Sequence, residues 1–154
     1  MVEHCKIVTQ VALEIATACQ LKGIKVDRDL VEIGSLLHDI GRSKTHSINH
    51  AVVGVDIARA FGLPTAVLRI IERHIGAGIT ASEAKTLGLP PKDYRPRTLE
   101  EKIVAYADKL VEGNRKVPIT TAIYRLSREL GSKHPAVKRL TKLHHEFASL
   151  LGDI

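Results

Sequence analysis

Four histidines and one aspartate share helical stripes with apolar residues, and a second aspartate adjoins one of the histidines. His4, for example, is in register with Val8 and Val11 at the spacing that places side chains on one face of a helix. The six residues are His4, His38, Asp39, His50, His74 and Asp108. The sequence therefore predicts that imidazole and carboxylate groups converge inside the protein.

Converging imidazoles and carboxylates predict a metal site. A lone buried histidine is usually a core residue with a hydrogen-bond partner, and unpaired ionisable groups are costly to bury. When several helices each supply one such group, few arrangements other than a bound cation satisfy them all. A donor set without thiolates suits Zn²⁺, Mn²⁺, Fe²⁺, Co²⁺ or Ni²⁺ and does not discriminate among these metals.

The elements that position these groups are predicted to be helices. Apolar residues recur at helical spacing nearly throughout, and no alternating run bounded by turn residues is convincing, which indicates an all-α fold. Asn49 is a candidate N-cap, and Thr80 with Glu83 and Thr98 with Glu101 form capping-box patterns. Helices are expected over about 3–22, from 27 to 38, from 50, from 64, from 81, from 99, over 119–130 and over 136–151.

Length and composition indicate one globular unit. A chain of 154 residues, 44% hydrophobic and 26% charged, suits a single domain over 1–154 and excludes wholesale disorder. We expect its core at about 3–112 and a C-terminal helical extension over 113–154. With 3% aromatic residues, proteins that stack single-stranded nucleic acid on aromatic rings are disfavoured.

The expected compartment is the cytoplasm. No apolar run approaches the length of about 20 residues that spans a bilayer, so no membrane partner is expected.

Cys5 and Cys19 fall in one predicted helix, about 21 Å apart along its axis, which is too far for a disulfide. Both thiols are expected to be free.

The net charge of +6 is concentrated in the last part of the chain. Residues 1–112, which hold all six candidate ligands, contain 15 basic and 14 acidic residues, whereas residues 113–154 contain 8 and 3. The basic excess is therefore no signature of nucleic-acid binding by the core. It favours a narrower prediction, in which the last two helices contact an anionic partner or overhang the pocket.

Residues 37–41 read LHDIG, an HDIG variant of the HD motif. This motif and the order of the six residues resemble the HD-domain superfamily of metal-dependent phosphohydrolases, over about residues 3–112. The resemblance implies an all-α helical bundle with a metal site at its centre. It assigns metal ligation to His4, His38, Asp39 and Asp108, and catalytic roles to His38 and Asp39.

His50 and His74 stand where family members with two metals carry two further histidines. The resemblance therefore favours a dinuclear site in which Asp39 bridges the ions. Two cations so placed activate a water and hold a phosphate in line for attack without a protein nucleophile. The alternative is one metal, with His50 and His74 supporting the ligands or anchoring loops.

Differences from two known subfamilies of the HD-domain superfamily restrict the resemblance to other members of it. Residues 73–78 contain one histidine and no Gly-Tyr-Pro, unlike cyclic-dinucleotide phosphodiesterases, and residues 33–36 lack the His and Arg typical of dNTP triphosphohydrolases. The pattern is more similar to compact single-domain HD proteins, some of which cleave dinucleoside polyphosphates. Residues 75–84 and 87–93 also resemble small archaeal HDIG proteins without an assigned substrate.

Four basic residues are candidates for holding a substrate phosphate. Arg42 and Lys44 follow the HD motif in a loop, Arg73 adjoins His74, and Lys109 adjoins Asp108. One residue along a helix is a rotation of about 100°. Lys109 and Arg73 can therefore face solvent, and the loop residues are preferred.

The leading hypothesis is a metal-dependent phosphohydrolase, either a phosphodiesterase or a phosphomonoesterase. It would act on a nucleotide or another small phosphoester through metal-activated water. The alternatives are a non-catalytic metal-binding regulatory module and, ranked lower, a di-iron oxygenase with the same ligands.

Overall fold

The computed structural model describes residues 2–152. Within that range the chain forms eight α-helices and one short antiparallel hairpin, which confirms the predicted all-α class. The helices are α1 (Val2–Leu21), α2 (Arg28–Leu37), α3 (His50–Ala60), α4 (Thr65–Glu72), α5 (Ala81–Thr86), α6 (Leu99–Lys109), α7 (Ile119–Leu130) and α8 (Pro135–Leu151). A 3-10 helix, Ile40–Ser43, follows α2. Across residues 2–152, no helix is both long and apolar enough to cross a membrane.

The hairpin joins α6 to α7 and was not predicted. Its strands, β1 (Val111–Glu112) and β2 (Arg115–Lys116), pair Val111 with Lys116. Gly113 lies in the turn with φ +61°, in the left-handed region that glycine adopts at little cost. Strands of two residues are too short to carry an alternating pattern, so the sequence offers no period from which to infer them.

The core is built around α1. This helix packs against α2, α6 and α8, and α4 contacts both α2 and α6. Val8 and Ile15 of α1 belong to one buried cluster with Ile103 of α6 and Phe147 of α8. A smaller cluster, which includes Val55, holds α3 against α4. This packing fixes the positions of these helices, and therefore of their ends, relative to one another.

The predicted helix starts are partly confirmed. Thr80 and Glu83 form the full capping box at α5. Thr98 accepts a hydrogen bond from the Glu101 N–H, but the Glu101 carboxylate accepts from the Arg97 N–H instead of completing a box. Asn49 occupies the N-cap position of α3 without a side-chain hydrogen bond.

Gly41 of the LHDIG motif allows α3 to approach the HD pair. A Cβ at this position would lie 1.7 Å from the His50 carbonyl oxygen and 2.8 Å from the Gly54 nitrogen. Real Cβ atoms essentially never make contacts this short, and these neighbours are backbone atoms that cannot rotate away. The glycine is therefore required for the distance between Asp39 and His50.

We expect Gly41→Ala to destabilise the protein by about 3 kcal/mol or more, because α3 must move to admit the methyl group. The matched control is Gly34→Ala in α2, whose Cβ would meet side-chain atoms of Ile70, which can shift. Urea unfolding of both variants tests this expectation. An equal loss of stability in the two variants, or none in Gly41→Ala, would contradict it.

Candidate metal centre

The six candidate ligands lie at or just beyond helix ends that meet at one place. His4 lies in the first turn of α1, and Asp108 lies in the last turn of α6. His38 and Asp39 link α2 to the 3-10 helix, His50 opens α3, and His74 follows α4. Three of the four histidine side chains are almost fully buried, and His4 is 18% exposed.

The first group of donors consists of His4, His38, Asp39 and Asp108. The Nε2 atoms of His4 and His38 lie 3.0 and 3.2 Å from Asp108 Oδ1. The same two nitrogens lie 3.6 and 3.5 Å from Asp39 Oδ2. Two imidazoles and two carboxylates thus face a common point.

The second group consists of Asp39, His50 and His74. It uses the other carboxylate oxygen, since Asp39 Oδ1 lies 3.4 Å from His50 Nε2 and 3.2 Å from His74 Nε2. Asp39 is therefore common to both groups and presents one oxygen to each.

Backbone carbonyl groups fix the orientation of all four rings. Each histidine donates a hydrogen bond from Nδ1, at 2.6 to 3.0 Å. The donor and acceptor pairs are His4 with Gly113, His38 with Ser35, His50 with Ser47, and His74 with Ile71. A carbonyl oxygen can only accept, so the Nδ1 atom carries the proton, and a neutral ring leaves a lone pair on Nε2.

These lone pairs fit a metal cation. His50 Nε2 and His74 Nε2 lie 3.1 Å apart, and both face Asp39 Oδ1. When both rings are neutral, these two nitrogens and the carboxylate oxygen are all hydrogen-bond acceptors, with no donor among them. A cation bound between them would remove the repulsion of their lone pairs. Several nitrogen and oxygen ligands around one point, each ring held by a second hydrogen bond, are typical of transition-metal sites.

The two carboxyl groups are strongly biased towards the ionised form. Burial alone would raise the pKa of Asp39, but the surrounding imidazoles of His50, His74 and His38 hold it well below its ordinary value. Burial also opposes ionisation of Asp108, and the Lys109 ammonium group, 2.6 Å from Oδ2, lowers its pKa despite that. Two buried carboxylates attract cations to this point.

The histidine rings respond to the same charges in two ways. The hydrogen bond to Asp108 raises the pKa of His4. Burial lowers the pKa of His38, but the carboxylates of Asp108 and Asp39 outweigh it and leave the pKa raised. Burial lowers the pKa of His74, whose ring is therefore neutral at neutral pH. A metal at the first group would compete with protons for Nε2 of His4 and His38.

A cavity of about 710 Å³ opens from this cluster. Five of the six candidate ligands line it, the exception being the fully buried His38. Residues of the hairpin, of α7 and of α8 also line it, among them Val111, Ala122 and Leu140. The helix α7 therefore adjoins the pocket with several side chains, as one of the two predictions for the last two helices stated, whereas α8 contributes only Leu140.

The four basic residues predicted to hold phosphate are placed differently. Arg42 and Lys109 line the cavity, and Lys109 is held by Asp108 and by the His74 carbonyl oxygen. Lys44 is exposed and does not line it. Arg73 is buried and donates to Glu101 at 2.7 Å, so its charge is used in packing α4 on α6. We therefore exclude Lys44 and Arg73 from the phosphate-binding set.

Sequence reasoning missed His46 and the inward face of α7, which also line the cavity. His46 lies in a polar loop, and no spacing signal relates it to the ligands. The sequence of α7 does show helical periodicity, but periodicity does not tell which part of the protein the resulting helix face contacts.

Residues 1–113 match the HD domain family. The chain belongs to that family. A relative at 53% identity, "Uncharacterized protein MJ0778" of Methanocaldococcus jannaschii, aligns with 98% of this chain and 89% of its own length. The match agrees with the predicted resemblance to small archaeal proteins of the HD superfamily.

Another relative is named tRNA (cytidine(56)-2'-O)-methyltransferase, from Picrophilus torridus. It is 43% identical over 99% of this HD domain protein, which spans only 42% of the methyltransferase. Among solved structures, the HD domain of phosphodiesterase PgpH from L. monocytogenes has a TM-score of 0.53 at 18% identity. That likeness covers 98% of this chain and 91% of the other, and it confirms the fold.

We expect two metal ions to bind each wild-type chain, because Asp39 presents one oxygen to each donor group. The double variant His50→Ala/His74→Ala should bind one ion, since it keeps the first group of ligands. His145→Ala on α8, an exposed histidine outside the 710 Å³ cavity, is the control and should bind two. Isothermal titration of metal-free protein with Mn²⁺ measures the stoichiometry. One ion in the wild type, or two in the double variant, would show that the groups are not separate sites.

Proposed function

We propose that this HD domain protein is a metal-dependent phosphohydrolase that acts on a small phosphoester such as a nucleotide. The observation that carries the proposal is the Asp39 carboxylate, whose two oxygens face separate histidine pairs at the wall of a cavity of about 710 Å³. Cavities of about 300–1,000 Å³ suit small-molecule ligands.

The donor groups divide the work of holding two cations. His4, His38 and Asp108 would hold one ion, His50 and His74 the other, and Asp39 both. Divalent cations supply polarisation of a phosphoryl group and activation of water near neutral pH. The carbonyl hydrogen bonds of the four rings keep the Nε2 atoms in place and so limit reorganisation on binding.

Arg42 and Lys109 are the side chains that we propose to contact the phosphate. Arg42 Nε lies 3.6 Å from Asp39 Oδ1, and the side chain is 36% exposed, so its remaining donors can reach a ligand. Lys109 lines the cavity with its Nζ beside Asp108, and its side chain is 17% exposed. The positively charged groups of Arg42 and Lys109 are thus held next to the carboxylates that would bind metal. The phosphoryl oxygens of a substrate would lie at the same place.

The adjoining cavity favours catalysis over a purely structural metal. Structural sites are normally closed, whereas catalytic sites keep a position open to water or substrate. His4, Asp39, His50, His74 and Asp108 all contribute to the wall of the open space. A non-catalytic metal-binding module or a di-iron oxygenase would use the same ligands, and turnover measurements separate these possibilities.

RNA is a second candidate substrate, favoured by the 43% identity to a protein named as a tRNA methyltransferase. A cavity of about 710 Å³ accommodates about one nucleotide, so RNA would have to enter by a chain end or an unstacked nucleotide. The separate small phosphoester fits the cavity more directly, and we favour it.

With Mn²⁺ bound, the protein should hydrolyse at least one member of a panel of nucleotides, phosphomonoesters and short RNA oligonucleotides. Asp39→Asn and His38→Ala should each lower kcat/KM by about 100-fold or more. The first change replaces the carboxylate shared by both donor groups with a neutral amide that has a single oxygen, and the second removes one imidazole from the first group. Phosphate release measures the activity. Wild-type rates in both variants, or no turnover on the whole panel by protein with two ions bound, would exclude the proposal.

Arg42→Ala and Lys44→Ala form a matched pair within that experiment. The two residues lie in the same short stretch, but only Arg42 lines the cavity. Arg42→Ala should raise KM about 10-fold, the magnitude of one charge-assisted hydrogen bond to phosphate, and Lys44→Ala should leave it unchanged. Equal effects would indicate that general surface charge, and not a phosphate contact, sets KM.

A further inference from the structure

The cavity has a wall that the metal chemistry does not use. We call Val117, Thr121, Ala122 and Leu126 the distal wall. All four line the same 710 Å³ space as the candidate ligands, and three of them are apolar. They belong to the segment after residue 113, where the match to the HD domain family ends.

One face of α7 supplies most of this wall. The cavity-lining positions of the helix are 121, 122, 125, 126 and 129, a spacing that gives a single helical stripe. Ala122 and Leu126 also pack against the main hydrophobic cluster, so the face is anchored to the core. The wall is therefore a supported surface and not a free helix end.

The hairpin connects the distal wall to the metal centre. His4 donates from Nδ1 to the Gly113 carbonyl oxygen at the turn, and the Val117 N–H donates to Leu110 O at 2.8 Å. A candidate metal ligand and the start of the distal wall are thus held by the same short segment. A ligand that fills the cavity must contact both.

Positive charge in the cavity is concentrated at the metal end. Arg42 and Lys109 lie next to Asp39 and Asp108. On the α7 side, Arg125 pairs with Glu112, and Glu129 adds a second carboxylate. Among the described residues that line the distal side, acidic groups therefore outnumber basic ones, which disfavours a second phosphate there.

We propose that the distal wall binds the uncharged organic group of a phosphoester whose only phosphate lies at the metal end. This inference rests on the proposed function and deepens it, because it names the substrate as a monophosphate with an uncharged organic substituent. It assigns specificity to Ala122 and Leu126, outside the HD family match. Nucleoside polyphosphates, dinucleoside polyphosphates included, should be poor ligands.

Binding measurements separate the two ends of the cavity. The probes are inorganic phosphate, the phosphonate analogue of adenosine monophosphate in which CH₂ replaces the ester oxygen, and the triphosphate form of that analogue. Isothermal titration of Mn²⁺-loaded wild-type protein should show the monophosphonate binding at least 10-fold more tightly than phosphate. The triphosphate form should bind no more tightly than the monophosphonate.

Ala122→Phe should weaken monophosphonate binding at least 10-fold, because the added ring occupies the distal end, and should leave phosphate binding within 2-fold. Leu126→Ala, which removes apolar contact without adding bulk, should weaken monophosphonate binding about 3-fold or more and also spare phosphate. Leu130→Phe is the control, since Leu130 is exposed on α7 and does not line the cavity. Thermal melting of each variant establishes that it is folded.

The outcomes distinguish this inference from the function on which it rests. Failure of Mn²⁺-loaded wild-type protein to bind phosphate at all would count against the proposed function. Phosphate binding together with 10-fold tighter binding of the triphosphate form would overturn the inference alone. The inference would also be overturned if folded Leu126→Ala and Ala122→Phe bound the monophosphonate as the wild type does.

Discussion

The sharing of one carboxylate between two sets of imidazoles is the constraint on which the rest of the structure depends. Asp39 Oδ2 lies 3.5 Å from His38 Nε2, and Asp39 Oδ1 lies 3.2 Å from His74 Nε2. To share a metal with these two oxygens, the candidate ligands at the ends of different helices must be placed to within about 0.5 Å. Side-chain flexibility cannot absorb larger errors, because each ring is also tied by Nδ1 to a backbone carbonyl.

Close backbone packing satisfies that constraint. A Cβ on Gly54 would lie 3.2 Å from the Gly41 nitrogen and 2.8 Å from the Ile71 side chain. The helix α3 is therefore packed closely between the 3-10 helix that contains Gly41 and α4. His50 at the start of α3 and His74 beyond the end of α4 meet because these two helices are in contact. The glycine of the motif therefore acts through packing, whereas its neighbours His38 and Asp39 belong to the groups of atoms that could hold a metal.

Sequence patterns predicted the parts of the molecule that repeat along a helix. The register of His4 with Val8 placed the imidazole inward, and the limits of α7 were predicted at 119–130, as observed. Relations between distant segments were not predictable in this way. Arg73 adjoins His74 in sequence, yet its charge is neutralised by Glu101, and only the packing of α4 on α6 determines that partner. Lys109 could equally have faced solvent, and its contact with the His74 carbonyl oxygen fixes it at the cavity.

The formal charge of a segment does not show where unpaired positive charge lies, because several basic side chains are paired with acidic ones. Residues 113–154 carry most of the net positive charge, but Arg139 is used to join α8 to Glu83 and the Gly78 carbonyl oxygen, and Arg125 is paired with Glu112. These basic side chains stabilise packing of the last two helices and leave no unpaired positive charge on the distal wall. The two basic residues that we propose to contact a phosphate, Arg42 and Lys109, lie instead in the segment whose formal charge is nearly balanced. Local pairing, and not the net charge of a segment, thus determines where an anion can bind.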